Sequence, residues 1–375
     1  MNTRKNFGYG IFAVVLTLAF AALSLTGCPP EPDPGDSGTP GLEYELINGG
    51  TAYSVSAGTV TGGKVVIPAT YDGLPVTEFG YCAFNECTGL TSITIPDSVT
   101  QIGYGAFSKC TGLTSITIPA GVTTIGQWAF EGCTGLTAIT IPAGVTSIVR
   151  DAFDLCDALK NIIIDTDKVT NRINETWGDR FGADGLSVTF KKNPGDYAFH
   201  YCTRLTSVTI ADSVTSIGDN AFYNCTSLTS ITIPAGVTTI GRRAFERCTG
   251  ITSITIPASV TSIGTGAFEG CTGLTSITIP ASVTSIRDYT FDGCTGLTSV
   301  TIPEGVTSIG TRAFGGCTGL TSVTIPASVT SIGDYAFYGW TNTQTINVPW
   351  SSGNKPDDWD DNWDDYCDAQ IVYQQ

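Results

Sequence analysis

One histidine, His200, and one methionine occur in the 375 residues, and only 14% of the chain is charged. A lone histidine without a positioned carboxylate and nucleophile forms no hydrolytic triad, and it cannot supply both ligands of H-E-x-x-H. His200 therefore reads as a surface residue rather than a catalyst. The G-x-S-x-G elbow and the phosphate-binding loop are missing as well. Basic residues are scarce: 18 Lys and Arg stand against 34 Asp and Glu, a formal charge of −16. So acidic a body repels phosphate backbones, which argues against nucleic acid as a partner. It is compatible with solubility, or with attraction to cations and basic proteins. The most apolar run, Ile11 to Leu25, provides about 15 residues where roughly 20 are needed to span a bilayer.

That run is instead the core of an export signal. Arg4 and Lys5 precede it, and Leu25-Thr26-Gly27-Cys28 closes it. A basic start, a short apolar stretch and small residues before a cleavage point are the features of a secretory leader. The Leu-Thr-Gly-Cys ending resembles a bacterial lipobox, which implies a leader over 1–27 and a diacylglyceryl group on the Cys28 thiol. The segment 28–41 is rich in Pro, Gly and acids and cannot bury a core, so it reads as an extended tether. The expected location is the cell envelope, on the outer membrane or cell surface.

Beyond the tether, the chain repeats itself. Cysteines fall at 87, 110, 133 and 156, then at 202, 225, 248, 271, 294 and 317, in steps of 23 residues apart from one double step. Phenylalanines run three residues ahead of them, from Phe84 to Phe337. A fixed period of this length marks a solenoid, in which each coil buries its apolar face against its neighbours. In the coil Thr111–Cys133 the expected core is Leu113, Ile116, Ile118, Val122, Ile125, Ala129, Phe130 and Cys133. Ile116 and Ile118 alternate with Ser115 and Thr117, which predicts a short half-buried strand ended by Pro119. Gly126 reads as a tight turn. One cysteine per coil does not converge the four ligands of structural zinc, and Trp340 occupies the cysteine position in the last coil. The ladder therefore reads as buried thiols packing as small hydrophobes. No cofactor or metal is expected.

The pattern L-x-x-I-x-I-P-x-x-V-x-x-I-G-x-x-A-F-x-x-C resembles the bacterial leucine-rich repeats of the BspA-like, or treponemal, type. The resemblance implies a right-handed β-rich superhelix of about twelve 23-residue turns, with short parallel strands on the concave side and capped ends. With strands about 4.8 Å apart, twelve turns would extend roughly 58 Å. An N-terminal cap is expected over 42–67, the solenoid over 68–349, and an acidic, Trp-rich cap over 350–375, in which Trp350, Trp359, Trp363 and Tyr366 cover the last apolar edge. One repeat, 157–195, breaks the pattern. Within it Thr170–Phe181 carries Ile173, Trp177 and Phe181 at helical spacing, which predicts a helical excursion. Asp358–Asn362 partly matches a calcium loop, but Trp363 and Ala369 stand where that loop needs glycine and glutamate.

The resemblance also implies an adhesion module that binds host matrix, host cells or other bacteria, and not an enzyme. The outward strand positions are monotonous Ser and Thr. Variation gathers before and after the phenylalanine, so partner-binding candidates are Gln127, Trp128, Arg242, Arg243, Asp288, Tyr289 and Arg312, expected on the convex side. The alternatives are an inert surface coat, or an ice-facing array built on the ranked hydroxyls of pairs such as Ser115 and Thr117.

Overall fold

Isoleucine or valine at alternate positions, flanked by threonine, favours short strands, and a proline or glycine soon after each keeps them short. The computed structural model describes residues 38–149, 151–167, 184–351, 359 and 362–373. It is a β-solenoid of about thirteen turns of ~23 residues, with no helix among the described residues. The predicted helical excursion Thr170–Phe181 lies outside them.

Each coil contributes two strands. The first is represented by Ser115–Thr117, whose Ile116 is buried between exposed neighbours. It pairs in parallel with Ala138–Ile141, which pairs with Asn161–Ile164. The second is the dipeptide Thr124–Ile125, which lies parallel to Gln101–Ile102 on one side and Ser147–Ile148 on the other. A run of turns then carries the Ala-Phe pair back across the core, and its amides also bond between coils: Phe107 N donates to Ala129 O at 2.7 Å, and Phe130 N to Ala152 O at 2.7 Å. All three sides of the coil are thus hydrogen-bonded to the next one, as buried backbone requires.

The N-terminal segment joins this scheme. Glu43–Ile47 is antiparallel to Ala52–Ser56, which lies parallel to Leu74–Phe79, while Gly62–Val66 pairs with Gly89–Thr94. Within the irregular repeat, Leu186–Phe190 pairs in parallel with Asn161–Ile164, with a bulge where it meets Leu205–Ile210. At the far end Gln370–Tyr373 adds a last parallel strand to Thr345–Val348.

The core is a stack of like residues. Neighbouring phenylalanines from Phe222 to Phe337 lie with centroids 5.5 to 5.8 Å apart and rings within 17° of parallel. Perpendicular rings end the file. Trp340 and Trp363 stand edge-on to Phe337, and Phe190 stands at 90° to Phe199 where the file resumes after the irregular repeat. An edge-to-face contact suits the quadrupole of a terminal ring with no partner of its own kind. Trp359 and Trp363 are buried, but Tyr366 is 76% exposed: it stands beside Tyr335 and Tyr338 rather than over the last apolar edge.

Candidate functional site

Two residues in every regular coil adopt the left-handed conformation. One stands two places after the repeat glycine and the other directly before the cysteine: Gly105 and Lys109, Trp128 and Gly132, Arg243 and Arg247, Tyr289 and Gly293, Arg312 and Gly316. The first of these turns opens on the repeat glycine, since Ala129 N donates to Gly126 O at 3.3 Å, but its left-handed residue is Trp128. Gly126 is glycine for another reason: a Cβ there would lie 2.7 Å from the carbonyl carbon of Gly103 in the preceding coil. Four of the candidate residues, Trp128, Arg243, Tyr289 and Arg312, therefore occupy a backbone conformation that costs a non-glycine residue roughly 1–2 kcal/mol.

The segment around the Ala-Phe pair carries most of the exposed aromatic surface. Tyr81, Trp128, Tyr197, Tyr201, Tyr289 and Tyr338 are all exposed and all belong to it. Tyr81 stacks on Tyr104 at 4.9 Å, and Trp128 meets Tyr104 edge-on at 5.1 Å. His200 is half-buried, not a plain surface residue. It stacks on Tyr223 at 4.7 Å with Tyr201 edge-on at 4.4 Å, and burial holds its imidazole below the usual histidine range. Next to Tyr223, Glu246 is only 3% exposed, with Arg243 Nε 3.2 Å and Arg247 Nε 3.7 Å from its carboxylate. Burial, then the neighbouring Glu269, raises its pKa against the pull of the two arginines. Arg312 lies over the Tyr338 ring at 4.5 Å and faces Asp292 at 3.6 Å. Arg242 is exposed, and its amide donates to Asp219 Oδ1.

A recess of about 790 Å³ lies along the second strands of the later coils, floored by Ser285, Ser308 and Ser331 and walled at one end by Trp359. The candidate Asp288 is among the residues that line it. The pattern of the repeat contained a signal for the place. Arg287 stands where neighbouring coils have Gly241, Gly264, Gly310 and Gly333, and Thr290 stands where they have alanine.

The profile of the BspA type leucine rich repeat region matches six copies over residues 66–176, 192–295 and 284–355. The chain belongs to the BspA-type leucine-rich repeat family. Among solved structures it is similar to a leucine-rich repeat protein from Bacteroides ovatus, with 24% identity, 89% of this chain and 98% of that one covered, and a TM-score of 0.51. A leucine rich cell surface protein from Faecalibacterium prausnitzii is 28% identical over 92% of this chain and 95% of its own, with a TM-score of 0.37. The leucine rich repeat protein TpLRR of T. pallidum is 25% identical over 75% and 88%, with a TM-score of 0.26. No curated protein matches significantly. The family match names no catalytic family.

The remaining features of the family's repeat are structural. The ladder cysteines are free, buried thiols. From Cys110 to Cys156 and from Cys225 to Cys317 the S–H of each donates to the carbonyl of the phenylalanine one coil earlier, as from Cys110 to Phe84 and from Cys271 to Phe245 at 3.1 Å each. Trp340 Nε1 makes the same bond to Phe314 O at 2.9 Å, which explains how tryptophan replaces cysteine there. Burial pushes the thiols of Cys156 and Cys248 up to about 12. Cys82 and Cys87 do not pair with each other. The threonines before the second strands spend their hydroxyls internally: Thr123 donates to Thr100 O and Thr146 to Thr123 O, both at 3.2 Å. The first-strand hydroxyl ranks are exposed, but Ala138 and Asn161 interrupt them. Cys28 and most of the Asp358–Asn362 stretch lie outside the described residues.

Proposed function

We propose that this is an exported, lipid-anchored surface protein whose solenoid binds protein partners through the variable flanks of the Ala-Phe segment. The observation that carries the reading is where the large side chains stand. Trp128, Arg243, Tyr289 and Arg312 occupy a left-handed position that glycine fills without strain at Gly105 and Gly266. Strain kept at an exposed aromatic or arginine is a feature of recognition surfaces, and Tyr, Trp and Arg dominate interface energetics. Gln127, Arg242 and Asp288 flank the same positions. Their regular spacing along a long solenoid suits an extended partner such as a host matrix protein or the surface of another bacterium.

The anchor is Cys28, with the acidic tether holding the solenoid off the bilayer. Radiolabelled palmitate should enter the wild-type chain and not Cys28→Ser. Brief proteolysis of intact cells should remove the solenoid; a protected solenoid would overturn the adhesion reading. For the binding surface, matrix proteins captured by the mature chain would be tested against the double variant Arg242→Ala with Arg243→Ala. A fall of tenfold or more is expected, since two exposed interface arginines at about 1 kcal/mol or more apiece would be lost. Unchanged affinity would remove this surface from the proposal.

A further inference from the structure

The recess along the second strands departs from the repeat at its centre. In the neighbouring coils a Cβ at the repeat glycine would strike backbone of the preceding coil: for Gly241 the nearest atom is 2.5 Å away, for Gly264 2.4 Å and for Gly333 2.7 Å. Arg287 nevertheless carries a side chain there. The second-strand sheet divides at this place, ending at Ser262–Ile263 and beginning again at Ser285–Ile286. The first-strand file also divides three times, and nothing in the structure explains those divisions. Thr290, itself buried, donates its hydroxyl to Arg287 O at 2.6 Å, so the second departure in this coil supports the first.

We propose that this recess binds a carboxylate-bearing oligosaccharide, with the Arg287 guanidinium taking the carboxylate. The site shares Asp288 with the edge of the protein-binding surface proposed above, but it is centred on Arg287 and does not depend on that reading. Arg287 is exposed, lines the recess, and forms no ion pair among the described residues, so its five donors are available. A guanidinium matches a carboxylate in a planar, two-pronged fashion. Around it the lining is rich in hydroxyls, from Thr265, Ser285, Ser308, Thr311 and Ser331. At about 4.8 Å per coil these recur along the axis with a rise comparable to that of sugar units in a glycan chain. Asp288 accepts the amide of Thr311 at 2.9 Å and keeps an acceptor beside the cation for a sugar hydroxyl. The volume, about 790 Å³, is in the ordinary range for small-ligand sites. A peptide is the poorer occupant. The strands beneath the recess are only two residues long, too short to template an added strand, and the floor offers no open apolar pocket for a side chain.

The test uses the mature full chain and isothermal titration with tetragalacturonate and a hyaluronan tetrasaccharide, with maltotetraose and tetraglutamate as controls. Binding of at least one acidic sugar, at least tenfold tighter than maltotetraose and tetraglutamate, is expected. Arg287→Gly restores the residue found in the adjacent coils, so it should keep or raise the melting temperature while weakening the acidic sugar at least tenfold. Arg287→Lys, which keeps the charge but not the fork, should fall between. No binding of either acidic sugar would overturn the proposal, as would equal binding by Arg287→Gly. Equal or tighter binding of tetraglutamate would assign the recess to acidic peptides instead.

Discussion

At the scale of the residue, the same letter does different work at different places in the coil. Cysteine is the clearest case. From Cys110 to Cys317 the thiols are buried, and those from Cys110 to Cys156 and from Cys225 to Cys317 are bonded to a carbonyl and held in the protonated form by desolvation. Cys82 and Cys367 are half-exposed. Since the thiolate is the nucleophile, iodoacetamide should label Cys82 first and Cys367 more slowly, because burial raises the Cys367 thiol, and should leave Cys110 to Cys317 unmodified until denaturant is added. Mass mapping of the native reaction reads this directly, and labelling of Cys225 or Cys271 would contradict the packing. Cys82 tests a second point, because its φ is +52°. Cys82→Ala keeps that strain and Cys82→Gly removes it. The glycine variant should be the more stable of the two by about 1 kcal/mol in urea melts, the left-handed penalty less the extra entropy of an unfolded glycine. Equal stability of the two variants would show that the turn relaxes.

The element is the coil, and here the glycines set the spacing. Gly264 has ordinary backbone angles, yet a Cβ on it would lie 2.4 Å from Arg242 N and 2.5 Å from the carbonyl carbon of Gly241. Gly264→Ala should therefore cost about 2 kcal/mol or more, the scale of an overpacked core, although alanine is usually neutral at an unstrained φ. A loss below about 0.5 kcal/mol, read from chemical denaturation, would mean that the coils separate easily. This is also where the sequence was least legible. Leu113, Ile116, Phe130 and Cys133 announce their burial because packing demands one kind of side chain in every coil. The left-handed pair does not announce itself: Trp128, Arg243 and Gly266 have nothing in common except their backbone. Gly126 looks the same whether it serves a turn or a close approach of two coils, and only the distance to Gly103 separates these roles. Arg287 was visible as a break in the I-G pattern, but its meaning depends on the divided sheet and the recess, which no one-dimensional pattern contains.

At the scale of the whole molecule, each coil touches mainly its two neighbours, so stability accumulates along one axis. Removing residues 250–272 deletes one period and joins Thr249 to Gly273, which leaves every later residue in the same place within its coil. This shortened chain should fold as a monomer with the native circular dichroism spectrum. Its urea m-value should fall by roughly one part in thirteen, in proportion to the surface buried. Removing 250–261 instead cuts about half a coil and would place Ser262–Ile263, which pairs with Thr239–Ile240, where a first strand belongs, so that chain should fail to fold. If both deletions behaved alike, the coils would not be the cooperative units. The C-terminal end gives the complementary case. Phe337 is covered in part by Trp363, and Ile346 and Val348 are paired on their outer side by Ile371 and Tyr373. A chain stopped after Pro349 would bare that edge of strand and its apolar residues together. Open, hydrophobic strand edges associate with one another, so the truncated solenoid should elute as dimers or larger species at concentrations where the full chain runs as a single coil stack. Restoring 350–375 should reverse this, and a truncated chain that stayed monomeric would show that the Trp-rich segment is not what closes the solenoid.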